Sequence, residues 1–113
     1  MQKQYRLARR EDFNKVYRHG KSAANKHFVV YYKPNRQVER FRLGVSASKK
    51  IGNAVVRNRV RRVIKEIVRL HAELLVANHD LIVIVRKTAV DLDYHETEKT
   101  LLHVLKRASL IKK

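Results

Sequence analysis

The period of the hydrophobic residues changes several times along the chain, and each change marks an element. Between Glu11 and Arg18, Phe13, Val16 and Tyr17 fall at i, i+3 and i+4. This spacing predicts a short helix, with Gly20 as its stop. His27 to Lys33 is rich in Phe, Val and Tyr and reads as a strand, followed by a turn at Pro34, Asn35 and Arg36. From Arg40 to Ser46 the pattern alternates, with Phe41, Leu43 and Val45 on one face and Arg40, Arg42 and Gly44 on the other. That predicts a half-buried strand lying beside the first. Ala47 to Asn53 is less regular and reads as an extension of the sheet before the chain turns.

Asn53 then caps a long helix expected to run to about Asn78, with Val56, Val60, Val63, Ile67 and Leu74 at helical spacing. Asp80 to Arg86 contains five successive apolar residues, mostly β-branched, as expected of a central strand covered on both faces. Asp93, with Glu96 three residues later, has the spacing of a capping box for a last helix whose stripe is Leu101, Leu105 and Ala108. The elements thus run α, two or three strands, α, β, α. A long helix between two strands is the kind of crossover that parallel pairing requires. Lys112 and Lys113 are expected to fray.

On a helical wheel, Val56, Val60, Val63, Ile64, Ile67, His71 and Leu74 share one arc of the long helix, and Arg57, Asn58, Arg61, Arg62, Lys65 and Arg69 share the other. Val68 and Arg59 lie at the margins. One face can pack on a sheet while the other presents cations. Repulsion between like charges at i, i+4, such as Arg57 with Arg61, costs a few tenths of a kcal/mol per pair. Glu66 and Glu73 are the only acids in the segment, and Glu66 stands i+4 from Arg62. Most of the cations also lie near the positive end of the helix dipole, where an anion rather than a cation is favoured. Arg suits phosphate well through its planar fork of donors. Just upstream, Lys49, Lys50, Gly52 and the hydroxyls of Ser46 and Ser48 add further groups that phosphate can use.

Composition sharpens this picture. The chain of 113 residues carries 27 Lys and Arg against 10 Asp and Glu, a formal net charge of +17. Such a charge opposes folding, and a polyanion relieves it. The length suits one domain, and a hydrophobic fraction of 44% is enough for a core. With no Cys there are no disulfides and no thiolate chemistry. The N-terminal stretch lacks the apolar region of a secretory signal, and no apolar run approaches the ~20 residues of a membrane span. A cytoplasmic setting with no membrane role is expected. Together these features indicate a folded nucleic-acid-binding protein whose surface centres on Ser48 to Arg69, with a membrane surface or an acidic protein as the next candidate partners.

The run Lys49-Lys50-Ile51-Gly52-Asn53-Ala54-Val55-Val56-Arg57-Asn58-Arg59-Val60-Arg61-Arg62 closely resembles the signature of the bacterial ribonuclease P protein subunit, whose hallmark is the Arg57-Asn58-Arg59 triplet. The resemblance extends to Glu11-Asp12-Phe13, Val16-Tyr17, His19-Gly20, Phe28-Val29-Val30-Tyr31, Leu43-Gly44-Val45-Ser46 and Asp80-Leu81-Ile82-Val83-Ile84. Position 17 is Tyr where Phe is also common, which keeps an aromatic ring.

The resemblance implies a single α/β domain (α+β two-layer) with a four-stranded mixed sheet packed with helices in the order αβββαβα. It also implies a left-handed crossover at the long helix, against the usual right-handed rule. A small-subunit ribosomal protein and a domain of elongation factor G share that fold. Members of the family join a large catalytic RNA and remove the 5′ leader from precursor tRNA. The RNA and its bound Mg²⁺ do the chemistry, so neither a protein-bound cofactor nor an obligate protein partner is expected. By the same resemblance Arg57, Asn58, Arg59 and the basic face that follows, with Arg61, Arg62, Lys65 and Arg69, contact the catalytic RNA, and the adjoining Ser48, Lys49, Lys50 and Asn53 complete the expected RNA-binding set. A leader-binding cleft between the first helix and the sheet carries Phe13, Tyr17 and Tyr31, with Asn58, Arg61, Arg62 and Lys65 along its edge. Rings that stack bases beside cations that follow phosphates are how single strands are held. Taken without the family, Phe13 and Tyr31 read more readily as core aromatics.

The chain holds no H-E-x-x-H, P-loop or G-x-G-x-x-G pattern. Its six histidines are scattered: His71 falls on the apolar arc, while His19 with His27, and His95 with Glu98, could meet without any metal-ligand spacing. No catalytic or metal-ligating residue is therefore expected on the protein. The competing readings are a structural RNA-binding protein of the same fold, which the Lys49–Arg62 run disfavours, and a nuclease that needs no RNA.

Overall fold

The computed structural model of the chain describes residues 5–112. Its elements are α1 (Arg10–His19), β1 (Lys21–Ala24), β2 (Phe28–Pro34), β3 (Phe41–Ser46), α2 (Ala54–Leu70), β4 (His79–Val85) and α3 (Tyr94–Arg107), with short 3₁₀ turns at Lys49–Ile51, Ala72–Leu74 and Lys87–Ala89. The four strands form a mixed sheet in the order β1-β2-β4-β3. β2 pairs antiparallel with both β1 and β4, and β3 pairs parallel with β4.

β4 takes the middle of the sheet because its side chains are apolar toward both faces. Leu81, Val83 and Val85 join Phe28, Val30, Phe41 and Leu43 in the main core, which α2 closes with Val60, Ile64, Ile67 and Val68 and α3 with Leu101, Val104 and Leu105. Ile82, with Tyr31 and Ile84, faces the other way into a smaller cluster under Leu7, Phe13 and Val16. α2 therefore covers one face and the ten-residue α1 only part of the other. Backbone pairing of Leu7 N–H with Leu43 O at 2.9 Å shields the outer edge of β3.

Several expectations change. β2 and β3 are not neighbours, since β4 lies between them. The irregular Ala47–Asn53 stretch is a 3₁₀ turn rather than an added strand, and the additional strand is β1. Lys-Ser-Ala-Ala has no apolar alternation to announce it; pairing with Val29 to Tyr32 makes it a strand. The long helix stops at Leu70, well before Asn78. Past that point Val76 N–H bonds to Leu110 O at 2.9 Å and Lys112 N–H to Leu74 O at 2.7 Å. These long-range bonds replace helical ones, and Asn78 turns through a left-handed φ of 62°. They leave Leu74 exposed and off the helix, and they tie down Lys112 instead of letting it fray; Lys113 lies outside the described residues. The two helix caps form as expected: Asn53 accepts from Val56 N–H, and Asp93 and Glu96 make a full capping box.

At the start of β4 a carboxylate goes inside. Asp80 is 4% exposed. Arg42 on β3 donates to it from Nε at 2.8 Å and Nη2 at 2.9 Å, and Asn35 Nδ2 donates at 3.0 Å. Arg42 Nη1 also reaches Asp12 of α1 at 3.4 Å. The hydrogen bonds to Asp80, only partly offset by burial, hold the guanidinium more firmly protonated than usual. One arginine thus locks β3, β4 and α1 together. Asp80→Ala, which strands this charge, is expected to cost about 3–5 kcal/mol of unfolding free energy. Urea denaturation at unchanged slope measures it; a cost below about 1 kcal/mol would show that water reaches Arg42 freely.

Candidate nucleic-acid interface

The interface is built on both sides of the junction between β3 and α2. Burial of Ile51 pins the 3₁₀ turn and leaves Ser48, Lys49 and Lys50 exposed. Gly52, at φ 154°, then redirects the chain into α2, and a Cβ there would crowd Val56 at 2.9 Å. α2 buries Val60, Ile64, Ile67 and Val68, so Val68 belongs to the core rather than the margin. Its opposite side exposes Asn58, Arg59, Arg62 and Arg69, with Arg57, Arg61 and Lys65 half-buried.

The charge of this surface is largely uncompensated. Among the described residues the ion pairs are Arg42 with Asp12 and Asp80, Arg69 with Glu66, and His71 with Glu98. Among the described residues no carboxylate pairs with Lys49, Lys50, Arg57, Arg59, Arg61, Arg62 or Lys65. Glu66 lies 2.6 Å from Arg69 and so does not relieve Arg62 as its spacing allowed; that contact lowers the Glu66 pKa through its hydrogen bond. Among the described residues Arg69 is accordingly the one cation of the predicted set whose charge is matched. Arg57 Nε is buried with no acceptor among the described residues. Arg59 reaches Val90 O at 3.4 Å. Arg61 is held in place from two sides, by Asn58 Oδ1 at 3.2 Å and by Ala47 O at 3.2 Å.

That second bond carries Arg61 across to the end of β3, where the other face of the sheet begins. Phe13, Tyr17 and Tyr31 come together there. Phe13 and Tyr17 have centroids 6.4 Å apart, and Tyr17 meets Tyr31 edge-on at 5.0 Å. Phe13 and Tyr31 are half-buried and Tyr17 is exposed, so none is a fully enclosed core ring. Burial raises the Tyr17 phenol above its ordinary pKa, with Ser46 pulling it down and Tyr31 adding to the rise. The Phe13 ring lies on Gly44: a Cβ there would collide with the ring tip and sit 2.9 Å from Cε1. Gly44 is thus the seat that lets α1 settle close to the sheet. Arg61, with Asn58, is tied through Ala47 O to the end of β3, next to Ser46, whose side chain meets the Tyr17 phenol; among the described residues Arg62 and Lys65 make no hydrogen bond or ion pair to the cleft.

Sequence reasoning missed Asp80, Arg42 and the role of Gly44. Their signal was an acid opening an apolar strand and an Arg-x-Gly alternation, but only the pairing of β3 with β4 sets Arg42 beside Asp80 and Gly44 beside Ile82. The scattered histidines also regroup: His71 Nε2 is 3.2 Å from Glu98 Oε2, and His27 Nδ1 is 2.9 Å from Thr88 Oγ1. Among the described residues no group of three or more His, Asp or Glu is placed to hold a metal ion.

A mixed four-stranded sheet with a cationic helix on one side and an open aromatic cleft on the other defines a protein built to engage a polyanion. The family described as Ribonuclease P matches residues 1–109. The Ribonuclease P protein component of Bacillus velezensis is 50% identical over 113 residues, covering 100% of this chain and 97% of that protein. The one from Staphylococcus epidermidis is 48% identical with the same coverage. The solved structure of the Staphylococcus aureus RNase P protein superposes with a TM-score of 0.90 at 42% identity, over 96% of this chain and 98% of that one. The chain belongs to the ribonuclease P protein family, whose role is as a subunit in tRNA 5′-end processing.

The seat at Gly44 has a direct test. Gly44→Ala is expected to destabilise the fold by about 1–3 kcal/mol by overpacking against Phe13. Combining it with Phe13→Ala should recover most of that loss, giving a coupled rather than additive cycle in urea titrations. Additive losses would place the strain elsewhere.

Proposed function

We propose that the chain acts as one RNA-binding domain that holds the catalytic RNA of ribonuclease P and the 5′ leader of precursor tRNA. The surface from Ser48 through Asn53 to Lys65 takes RNA backbone, and Arg69 contributes least because Glu66 already matches it. The cleft of Phe13, Tyr17 and Tyr31 takes the leader. The observation that carries this reading is the run of cations, without acidic partners among the described residues, that reaches the end of β3 beside the aromatic cleft through Arg61 on Ala47 O. Stacking is worth roughly 1–3 kcal/mol per base and tolerates any sequence, as a variable leader requires. The protein supplies position and charge, and phosphodiester hydrolysis belongs to the RNA with its Mg²⁺. The chain needs no cofactor of its own and no obligate protein partner. It works in the cytoplasm; among the described residues no helix is long and apolar enough to cross a membrane.

Incubation with precursor tRNA and Mg²⁺, with and without the catalytic RNA, tests the division of labour. Leader removal by rigorously RNA-free protein would falsify it. Binding to precursor should weaken with salt, log K falling by about 0.7 per unit log[salt] for each single-strand phosphate neutralised. Arg61→Ala with Arg62→Ala should flatten that slope, and an unchanged slope removes both from phosphate contact. Phe13→Ala, once shown to be folded, should weaken binding to precursor more than to mature tRNA. Equal losses would take Phe13 out of the leader site.

A further inference from the structure

The aromatic cleft does not end at its rings. Two residues further along each strand, on the same face, Tyr31 gives way to Lys33, Ile82 to Asp80 and Gly44 to Arg42. At the N-cap of α1, four residues before Phe13, stands Arg9. These steps are about 6–7 Å in strands and about 6 Å in a helix. They lead directly into a cavity of about 1190 Å³, bounded by the start of α1, the end of β2 and the loop 35–40.

This cavity is basic in effect as well as in count. Arg9, Lys15, Lys33, Arg36, Arg40 and Arg42 line it against Asp12, Glu39 and Asp80. Two of those acids are already spent on Arg42. No carboxylate pairs with Arg9, Lys15, Lys33, Arg36 or Arg40 among the described residues. The wall is also braced rather than loose. Asn35 N–H donates to Asn78 O at 2.7 Å, Asn78 Nδ2 to Val38 O at 2.7 Å, and Gln37 N–H to Asn35 Oδ1 at 3.1 Å. The aromatic rings on its lining, Tyr5 and Phe41, are stacked on each other with centroids 5.2 Å apart, and Phe41 is in the core. The cavity therefore offers chiefly cations to a backbone, and its one partly exposed ring, Tyr5, is already stacked on Phe41.

We infer that this cavity is a second leader subsite, which grips the phosphates of leader nucleotides lying further from the cleavage site than those stacked on Phe13, Tyr17 and Tyr31. It rests on the leader reading of the cleft and extends it. Leader recognition then has two parts: bases on rings near the cleavage site, and sequence-blind phosphates beyond.

The test uses the holoenzyme at saturating catalytic RNA and precursor tRNAs whose leaders lengthen one nucleotide at a time. Wild-type affinity should rise in two stages. Arg9→Ala with Arg36→Ala, both exposed positions outside the Arg42 network, should abolish the second stage only. The salt slope for long leaders should then fall by about 0.7 per phosphate released. Uncharged methylphosphonate linkages in the distal leader should reproduce that loss in the wild type and add nothing in the variant, while abasic distal nucleotides should be tolerated. The inference is overturned if the variant binds long leaders as tightly as the wild type, if it loses the same factor on the shortest leader, or if its affinity for the catalytic RNA alone drops. A wild type indifferent to leader length would instead sink the cleft reading itself. A circular dichroism spectrum and unfolding midpoint matching the wild type exclude misfolding of the double variant.

Discussion

A strand that must be covered on both sides governs this molecule. Leu81, Ile82 and Val83 are each almost wholly buried, yet successive side chains point to opposite faces. β4 can satisfy that only at an interior position, between β2 and β3, with structure above and below. Because β3 runs parallel to it, the connection has to cross a full strand length, and α2 is that crossover. α2 and α3 together close one face. The other receives α1, which seals Ile82 but is too short to cover the strand ends. The cleft is the part of that second face left over.

The same economy governs charge. With 10 acids against 27 Lys and Arg, where the acids sit decides which surface stays positive. Asp80 and Asp12 hold Arg42, Asp93 and Glu96 cap α3, Glu98 meets His71 and Glu66 meets Arg69. Six acids thus serve caps, cross-links or a helix-side pair. None of these lies between Ser48 and Lys65. Repulsion within that stretch is tolerated because burial of the opposite side of α2 anchors it, and it leaves a field that falls off over about 8–10 Å at ordinary salt.

Arg61 and Gly44 join these two themes. Arg61 leaves α2 to hydrogen-bond the carbonyl of Ala47, which brings the cationic side to the rim of the aromatic side. Gly44 removes a side chain where Phe13 needs room, so the ring rests on the sheet while its neighbours remain accessible. A surface that reads phosphate and one that reads bases are therefore contiguous although they belong to opposite faces of one sheet.

What the chain's order of residues determined by itself was local. The 3.6-residue stripe and Asn53 announced α2, the Asp93-to-Glu96 spacing announced the capping box, and the apolar run after Asp80 announced a strand buried on both faces. The acid-poor Ser48–Arg69 segment marked the cationic surface before any geometry was known. Each of these signals depends on neighbours within a turn or a pleat. Tertiary structure decided the rest. β1 exists because β2 offers it partners, α2 stops at Leu70 because Val76 and Lys112 bond across the chain, and β4 separates two strands that looked adjacent. It also matched Asp80 to Arg42 and Glu98 to His71. The physical reason is the same throughout. A hydrogen bond or ion pair between distant residues leaves no period in the sequence, because its partners are chosen by which strands and helices come to lie side by side.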